Sequence, residues 1–350
     1  MPRLRRSDCS HPGLTRRRRG RGFEILDAEG ERVDDEATLE RIRDLAIPPA
    51  WKDVWICLDE RGHLQATGTD AAGRKQYRYH DEWRTRRDAA KFDDMLDFAE
   101  ALPMMRRRVT RDLRSSGGLT RERVLACAVR LLDLGFFRIG SEDYAEQNES
   151  YGLATLRREH VTVKADEVVF DYPAKGGRLR TQPIRDDDVR AVVTRLKRRR
   201  GGGSDELLGY RDGREWRDVK AAEVNEYLKT VLGGEASAKD FRTWNATVLA
   251  AIALATADPA ASKTARKRVV NQAVKAVAMY LGNTPAVARA SYIDPRVFDR
   301  YHSGWTIAGA IYDPDALTFA NERVRRGLEA GVLDLLADER ASPALEQIAA

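Results

Sequence analysis

The chain of 350 residues is poor in cysteine: Cys9, Cys57 and Cys127 stand far apart, with no Cys-x-x-Cys pair. Its five histidines, at 11, 63, 80, 160 and 302, show no His-x-x-x-His spacing. A disulfide framework and a zinc site are therefore not legible, and neither a metal nor a cofactor is expected. Long apolar runs are missing too. The longest uncharged stretch, 243–257, has fifteen residues, against the roughly 20 that a bilayer span needs. The basic N-terminus is followed by no apolar segment, so no secretory leader is expected. These absences point to a soluble, cytoplasmic protein without a membrane partner.

What the chain has in quantity is charge. Charged residues make up 33% and hydrophobic residues 42%, enough for an ordinary packed core, and the length suggests about two domains. The net charge of +6 is modest but uneven. Arginines stand at 3, 5, 6, 16 to 19 and 21, against the single acid Asp8 in that segment. Such a run suits a polyanion, nucleic acid first, though a solvated tail has the same composition.

From residue 22 to 82 the pattern reads as short strands and turns. The apolar run Val54–Leu58, the turn Asp59–Gly62 and the segment His63–Gly68 form one such pair, and a short helix is expected near 38–45. After Trp83 the apolar positions Phe92, Leu96, Phe98, Ala99 and Leu102 follow a helical period. Residues 121–134 read as an amphipathic helix with Thr120 as N-cap and Gly135 as its stop. Strands are expected at 160–163, 168–172 and 178–183, with Lys175 at a hairpin tip before Gly176-Gly177. After the flexible break at Gly201–Ser204, helices are expected at 221–232, 241–257 and 263–281, with another from Pro285 capped by Thr284. The fold class is α+β: a small, mainly β N-terminal domain, then a mainly α domain carrying a three-stranded antiparallel sheet. The expected divisions are a basic tail (1–22), a β domain (23–82), a catalytic domain (83–315) and a C-terminal helical tail (316–350).

Four residues beside element boundaries attract attention: Arg138, Lys175, Arg242 and Tyr292. Each has an ordinary reading. An arginine after a helix meets the helix dipole, a lysine before Gly-Gly is a solvated turn, and a tyrosine before Ile-Asp-Pro is a half-buried anchor. Their local words are more telling as a series: Phe-Arg-Ile-Gly (137–140), Tyr-Gly-Leu-Ala-Thr-Leu (151–156), Lys-Gly-Gly (175–177), Lys-Asp-Phe-Arg-Thr-Trp (239–244), Leu-Gly-Asn-Thr-Pro (281–285) and Ser-Tyr-Ile-Asp-Pro (291–295). In this order they resemble the compact type IB DNA topoisomerases of the poxvirus and bacterial kind. Ala46-Ile47-Pro48-Pro49-Ala50-Trp51 and Gly73-Arg74-Lys75-Gln76-Tyr77-Arg78-Tyr79 resemble that family's DNA-clamping domain. The resemblance covers roughly residues 20 to 315.

The resemblance implies a monomer that clamps double-stranded DNA, relaxes supercoils without ATP or metal, and works on the nucleoid. Tyr292 would be the nucleophile that forms a 3′-phosphotyrosyl link. Arg138 and Arg242 would clamp the phosphate, a task that suits a planar, permanently charged guanidinium. Lys175 would be the general acid for the departing 5′-oxygen, with Lys239 assisting proton transfer. Asn283 stands where many relatives have a histidine, and its amide retains a donor that does not titrate. Gln76, Tyr77, Tyr79 and Tyr144 would contact DNA. The runs at 16–19 and 106–108 would track phosphates, or line a solvated surface. A tyrosine recombinase shares this chemistry, but typically carries His-x-x-Arg where this chain has Lys239-x-x-Arg242, and a helical front domain. A catalytically silent DNA-coating protein would not need all four residues.

Overall fold

The computed structural model describes residues 3–142, 145–146, 149–200, 202–258, 260, 262–312 and 321–348. Two compact units divide the chain, Met1–Phe92 and Asp93–Ala350.

The first unit holds a five-stranded antiparallel sheet of β1 (Leu14–Arg19), β2 (Gly22–Leu26), β3 (Lys52–Ile56), β4 (Leu64–Thr69) and β5 (Lys75–Tyr79), in the spatial order β2-β1-β3-β4-β5. Helix α1 (Glu36–Asp44) starts where the Asp35 carboxylate accepts the Thr38 N–H, and it lies over one face. Leu14, Ile25, Ile42, Val54, Ile56 and Ala66 form the core beneath it. The arginine run is thus not all tail. Residues 14–19 are a strand paired with both β2 and β3. Arg16 donates to the carbonyls of Ile47 (3.1 Å), Pro48 (2.9 Å) and Trp51 (2.9 Å), so the Ile-Pro-Pro-Ala-Trp word is tied down by a guanidinium. The first unit ends within the long helix α2 (Asp81–Leu113).

Helix α3 (Arg121–Leu134) is the axis of the second unit, buried from Val124 to Asp133 and capped by Thr120 as expected. Gly135 ends it for a different reason than the one expected. Its backbone is extended (φ −118°), not left-handed, and a Cβ there would sit 2.6 Å from the Phe137 ring and 2.5 Å from the Gln182 amide. Close packing, not turn geometry, demands the glycine.

The three-stranded antiparallel sheet follows: β6 (Val161–Val163), β7 (Val168–Ala174) and β8 (Arg178–Ile184), in that spatial order. Between β7 and β8 the Gly177 N–H closes a turn onto the Ala174 carbonyl (2.9 Å), with Gly176 and Gly177 at φ +82° and +70°. Lys175 occupies that tip, exposed. Helix α4 (Asp187–Lys197) leads to a hairpin, β9 (Gly209–Asp212) and β10 (Glu215–Asp218), that the hydrophobic periodicity did not reveal. Then come α5 (Ala221–Leu232), α6 (Ala238–Ala255), α7 (Lys263–Leu281), α8 (Pro285–Ser291) and α9 (Pro295–His302). Strands β11 (Trp305–Thr306) and β12 (Glu346–Gln347) pair on either side of α10 (Glu322–Ala337).

Helix α10 is keyed into the core by charge. Arg106 is buried and bonds Asp133 (2.8 Å) and Glu329 (2.6 Å), while Arg325 bonds Asp133 (3.1 Å). Burial opposes the charge of Asp133, but Arg325 and Arg106 outweigh it and hold the carboxyl at about 2. Arg106 is therefore neither a phosphate tracker nor part of a solvated face; only its neighbours in that run point outward.

Candidate active site

Arg138 sits four residues after α3 in a loop fixed by backbone pairing. The Leu153 N–H donates to the Arg138 carbonyl (2.7 Å) and the Ala154 N–H to that of Ile139 (2.8 Å). Gly140 (φ +81°) and Gly152 lie backbone against backbone, and a Cβ on Gly152 would stand 2.5 Å from Gly140. This explains why the Phe-Arg-Ile-Gly and Tyr-Gly-Leu-Ala words occur as a pair: each supplies the glycine the other needs.

Arg242 comes from the first turns of α6, where the Ser237 N–H (2.8 Å) and hydroxyl (3.0 Å) both donate to the Asp240 carboxylate. Its Nη1 donates to the Phe136 carbonyl (2.5 Å) and its Nη2 to the Leu281 carbonyl (2.8 Å), while Nε is buried without a partner among the described residues. Arg138 donates to the Gly282 carbonyl (3.2 Å) and to Oδ1 of Asn283. Arg180, from β8, donates to the Tyr280 carbonyl (2.5 Å). Three arginines from three elements thus take the consecutive carbonyls of residues 280, 281 and 282 at the C-terminus of α7, the negative end of its dipole. Gly282, left-handed at φ +62°, turns the chain there and places Asn283 beside Arg138.

Tyr292 follows α8, whose Pro285 and Thr284 cap give it a sharp start. Its N–H donates to the Ala288 carbonyl (3.0 Å), and its own carbonyl accepts from Thr247 Oγ1 (3.4 Å). The Arg242 guanidinium carbon is 5.3 Å from the centre of its ring. Burial is the largest single influence on the phenol and raises its pKa, but Arg242, Arg138 and Lys239 together bring it below the ordinary value. Burial, reinforced by Arg138, lowers Arg242 itself to about 10, so it stays a cation at neutral pH.

Arg138, Lys175, Lys239, Arg242 and Tyr292 converge on one cavity of about 390 Å³. A neighbouring recess of about 210 Å³ shares Arg138 and Lys175 and adds Arg180 and Asn283. Among the described residues, no carboxylate lines either. A cavity with several cations, no acid and a half-buried phenol suits a phosphodiester held against a tyrosine oxygen. Arg138, Lys175, Lys239, Arg242 and Tyr292 therefore share one cavity, and Asn283 lines the recess beside it. Arg180 was missed, because Arg-Leu-Arg in a strand next to a turn reads as a solvated edge.

The four DNA-contact candidates fare differently. Tyr77 and Tyr79 are exposed and stacked, ring centres 6.1 Å apart, with the Lys75 ammonium 5.9 Å from the Tyr77 ring. The register Thr15–Trp55–Thr67–Tyr77 puts them on the sheet face that also carries Arg17 and Arg19. Gln76 points the other way along the strand and donates to Asp70 (2.8 Å). Tyr144 lies outside the described residues.

Comparison with known proteins identifies the family. Residues 80–305 match the family model of the eukaryotic DNA topoisomerase I catalytic core, and residues 22–70 match that of the bacterial DNA topoisomerase IB N-terminal domain. The chain is similar to DNA topoisomerase 1B of Acanthamoeba polyphaga mimivirus, 32% identical over 274 residues that cover 76% of this chain and 80% of the relative. It is also 26% identical to DNA topoisomerase 1B of vaccinia virus over 149 residues, 41% of this chain and 46% of the relative. With DNA topoisomerase 1 of Schizosaccharomyces pombe it shares 28% identity over 160 residues, 45% of this chain and 18% of the relative. The chain belongs to the type IB DNA topoisomerase family. Among the described residues, no helix is long and apolar enough to cross a membrane.

Proposed function

We propose that this enzyme relaxes supercoiled duplex DNA by cutting and resealing one strand through Tyr292. The observation that carries the reading is the convergence of Arg138, Lys175, Arg242 and Tyr292 on a cavity with several cations and, among the described residues, no acid. The Tyr292 Oη bonds to phosphorus, the P–O5′ bond breaks, and the phenolic proton passes to water. Lys175 gives its proton to the departing O5′. The 3′-phosphotyrosyl link conserves the ester bond, so the 5′-hydroxyl reverses the step without ATP. Arg138 and Arg242 hold the non-bridging oxygens as charge builds on them, and the Asn283 amide, whose Nδ2 is buried with no partner among the described residues, donates to one of them. Lys239 assists the proton transfer. On the first unit, Tyr77 and Tyr79 pack on the sugar–phosphate backbone and the basic residues beside them meet phosphates.

The protein acts as a monomer in the cytoplasm, on the nucleoid. Supercoiled plasmid incubated with it in EDTA and without ATP should relax in steps of one linking number. Recombined products without such steps would identify a recombinase, and retarded but unrelaxed plasmid a silent binder.

A further inference from the structure

Arg180 raises a question that the site itself does not answer. Its guanidinium is partly buried, and no ion pair joins it to a carboxylate among the described residues. A cation withdrawn even in part from water, with only neutral partners, is unfavourable unless those partners are well placed. Its partners are the Gln182 amide oxygen, accepting from Nε at 3.0 Å, and the Tyr280 carbonyl, accepting from Nη2 at 2.5 Å. Packing there is close, since a Cβ on Gly282 would stand 3.0 Å from the Arg180 Nη1.

The location gives this contact a consequence. Strand β8 is the edge of its sheet, paired only with β7, and Arg180 faces Tyr172 across that pair. Beyond Tyr172 and Arg180 the hairpin runs out to the exposed tip that carries Lys175. On the β7 side the arm is held by a backbone bond, from the Tyr151 N–H to the Pro173 carbonyl (2.8 Å). On the β8 side, Arg180 ties it to the end of α7, two residues before Gly282 and three before Asn283. The same turn of α7 is gripped by Arg242 and Arg138.

We infer that Arg180 is a positioning residue for the general acid: it fastens the Lys175 hairpin to the C-terminus of α7 and so sets the lysine's distance from the scissile phosphate. This rests on the reading of Lys175 as proton donor. Arg180 touches no reacting atom. With it removed, the hairpin tip keeps its fold through the β7–β8 ladder but loses its tie to the frame that holds Asn283 and Tyr292. Proton delivery then suffers more than phosphate binding or nucleophilic attack.

The test compares single-turnover cleavage of a duplex with a normal bridging 5′-oxygen and one with sulfur there, which leaves without a proton. Arg180→Met and Arg180→Leu, neither with a donor for the Tyr280 carbonyl, should slow the oxygen substrate by roughly 10- to 100-fold, within the range of general-acid effects. On the sulfur substrate they should fall within about 3-fold of the parent. Arg180→Lys, which keeps a donor, should recover most of the loss on oxygen. Two variants guard against one failing to fold. Equal losses on both substrates would mean a structural or phosphate-binding role and would overturn the proposal. Lys175→Ala run in parallel separates the two levels. If sulfur rescues Lys175→Ala but neither Arg180 variant, only the Arg180 inference fails; if it rescues none of them, the general-acid assignment fails and takes the inference with it.

Discussion

Asn283 accepts a hydrogen bond from Arg138 through Oδ1, which fixes the orientation of its amide and leaves the buried Nδ2 as a donor with no partner among the described residues. In the proposed mechanism the pair acts as one unit: the arginine sets the amide, and the amide would donate to phosphate. Asn283→Asp removes the donor and adds negative charge where phosphate binds. Cleavage in single turnover should fall by roughly 10²- to 10³-fold, as for loss of an oxyanion donor. Asn283→His should retain most activity but gain a pH dependence near neutrality that the parent lacks. A parent and a histidine variant with identical pH profiles would refute the role.

Tyr292→Phe removes one oxygen from a half-buried ring. Relaxation and the denaturant-stable covalent adduct should both vanish, while duplex affinity stays within a few-fold. An adduct surviving in the variant, mapped by mass spectrometry to another residue, would reassign the nucleophile.

Lys175→Ala should cleave a normal phosphodiester about 10²- to 10⁴-fold more slowly, a barrier higher by roughly 3 to 6 kcal/mol. Sulfur at the bridging 5′ position should restore most of the rate. Arg138→Ala and Arg242→Ala should recover far less, because sulfur does not relieve charge on the non-bridging oxygens. Failure of the rescue would turn attention to Lys239.

The exposed face of the first sheet makes a separate, electrostatic prediction. Replacing Arg17, Arg19 and Lys75 together by glutamine should reduce the slope of log affinity against log salt by about two to three, if each meets a phosphate. The melting temperature should fall only slightly, since all three are exposed and the pairs that Arg17 and Arg19 make with Glu24 lie at the surface. An unchanged slope would place the DNA elsewhere.

Asp133 predicts how stability depends on pH. Its folded pKa of about 2 lies below the ordinary 3.8, so its contribution is present above pH ~4 and is lost as the pH falls toward 2. The difference corresponds to about 2 kcal/mol. Asp133→Asn leaves Arg106 and Arg325 short of compensating charge and should destabilise by roughly 3 to 5 kcal/mol at pH 7. Urea titrations should show the gap between parent and variant narrowing below pH 4. A gap that is constant with pH would mean the carboxylate is not held down by its neighbours.

What the sequence made legible was whatever has a local signature. The Thr120 cap and the period of 121–134 mark α3, and Gly176-Gly177 mark the turn that presents Lys175. The residues around Tyr292 were legible as ordered words, though no periodicity says that they meet. Arg106 and Arg107 are adjacent arginines in one helix, and only the tertiary partners Asp133 and Glu329 decide which is buried. Arg16 looked like part of a tail because its three acceptors are carbonyls more than thirty positions away. Arg180 was hidden in the same way, its key acceptor being a carbonyl exactly where any residue would supply one, at Tyr280.

Among the described residues, the end of α7 fixes the direction of Arg138, Arg180 and Arg242 without a formal anion. A carboxylate partner would orient a guanidinium equally well but would also cancel its charge, and an incoming phosphate would have to displace it. Carbonyl dipoles give the orientation and leave the charge whole. The cavity therefore presents organised positive charge, and on the proposed function an incoming phosphate would relieve part of the repulsion among these cations. Ligand binding should accordingly stiffen and stabilise this part of the molecule more than any other.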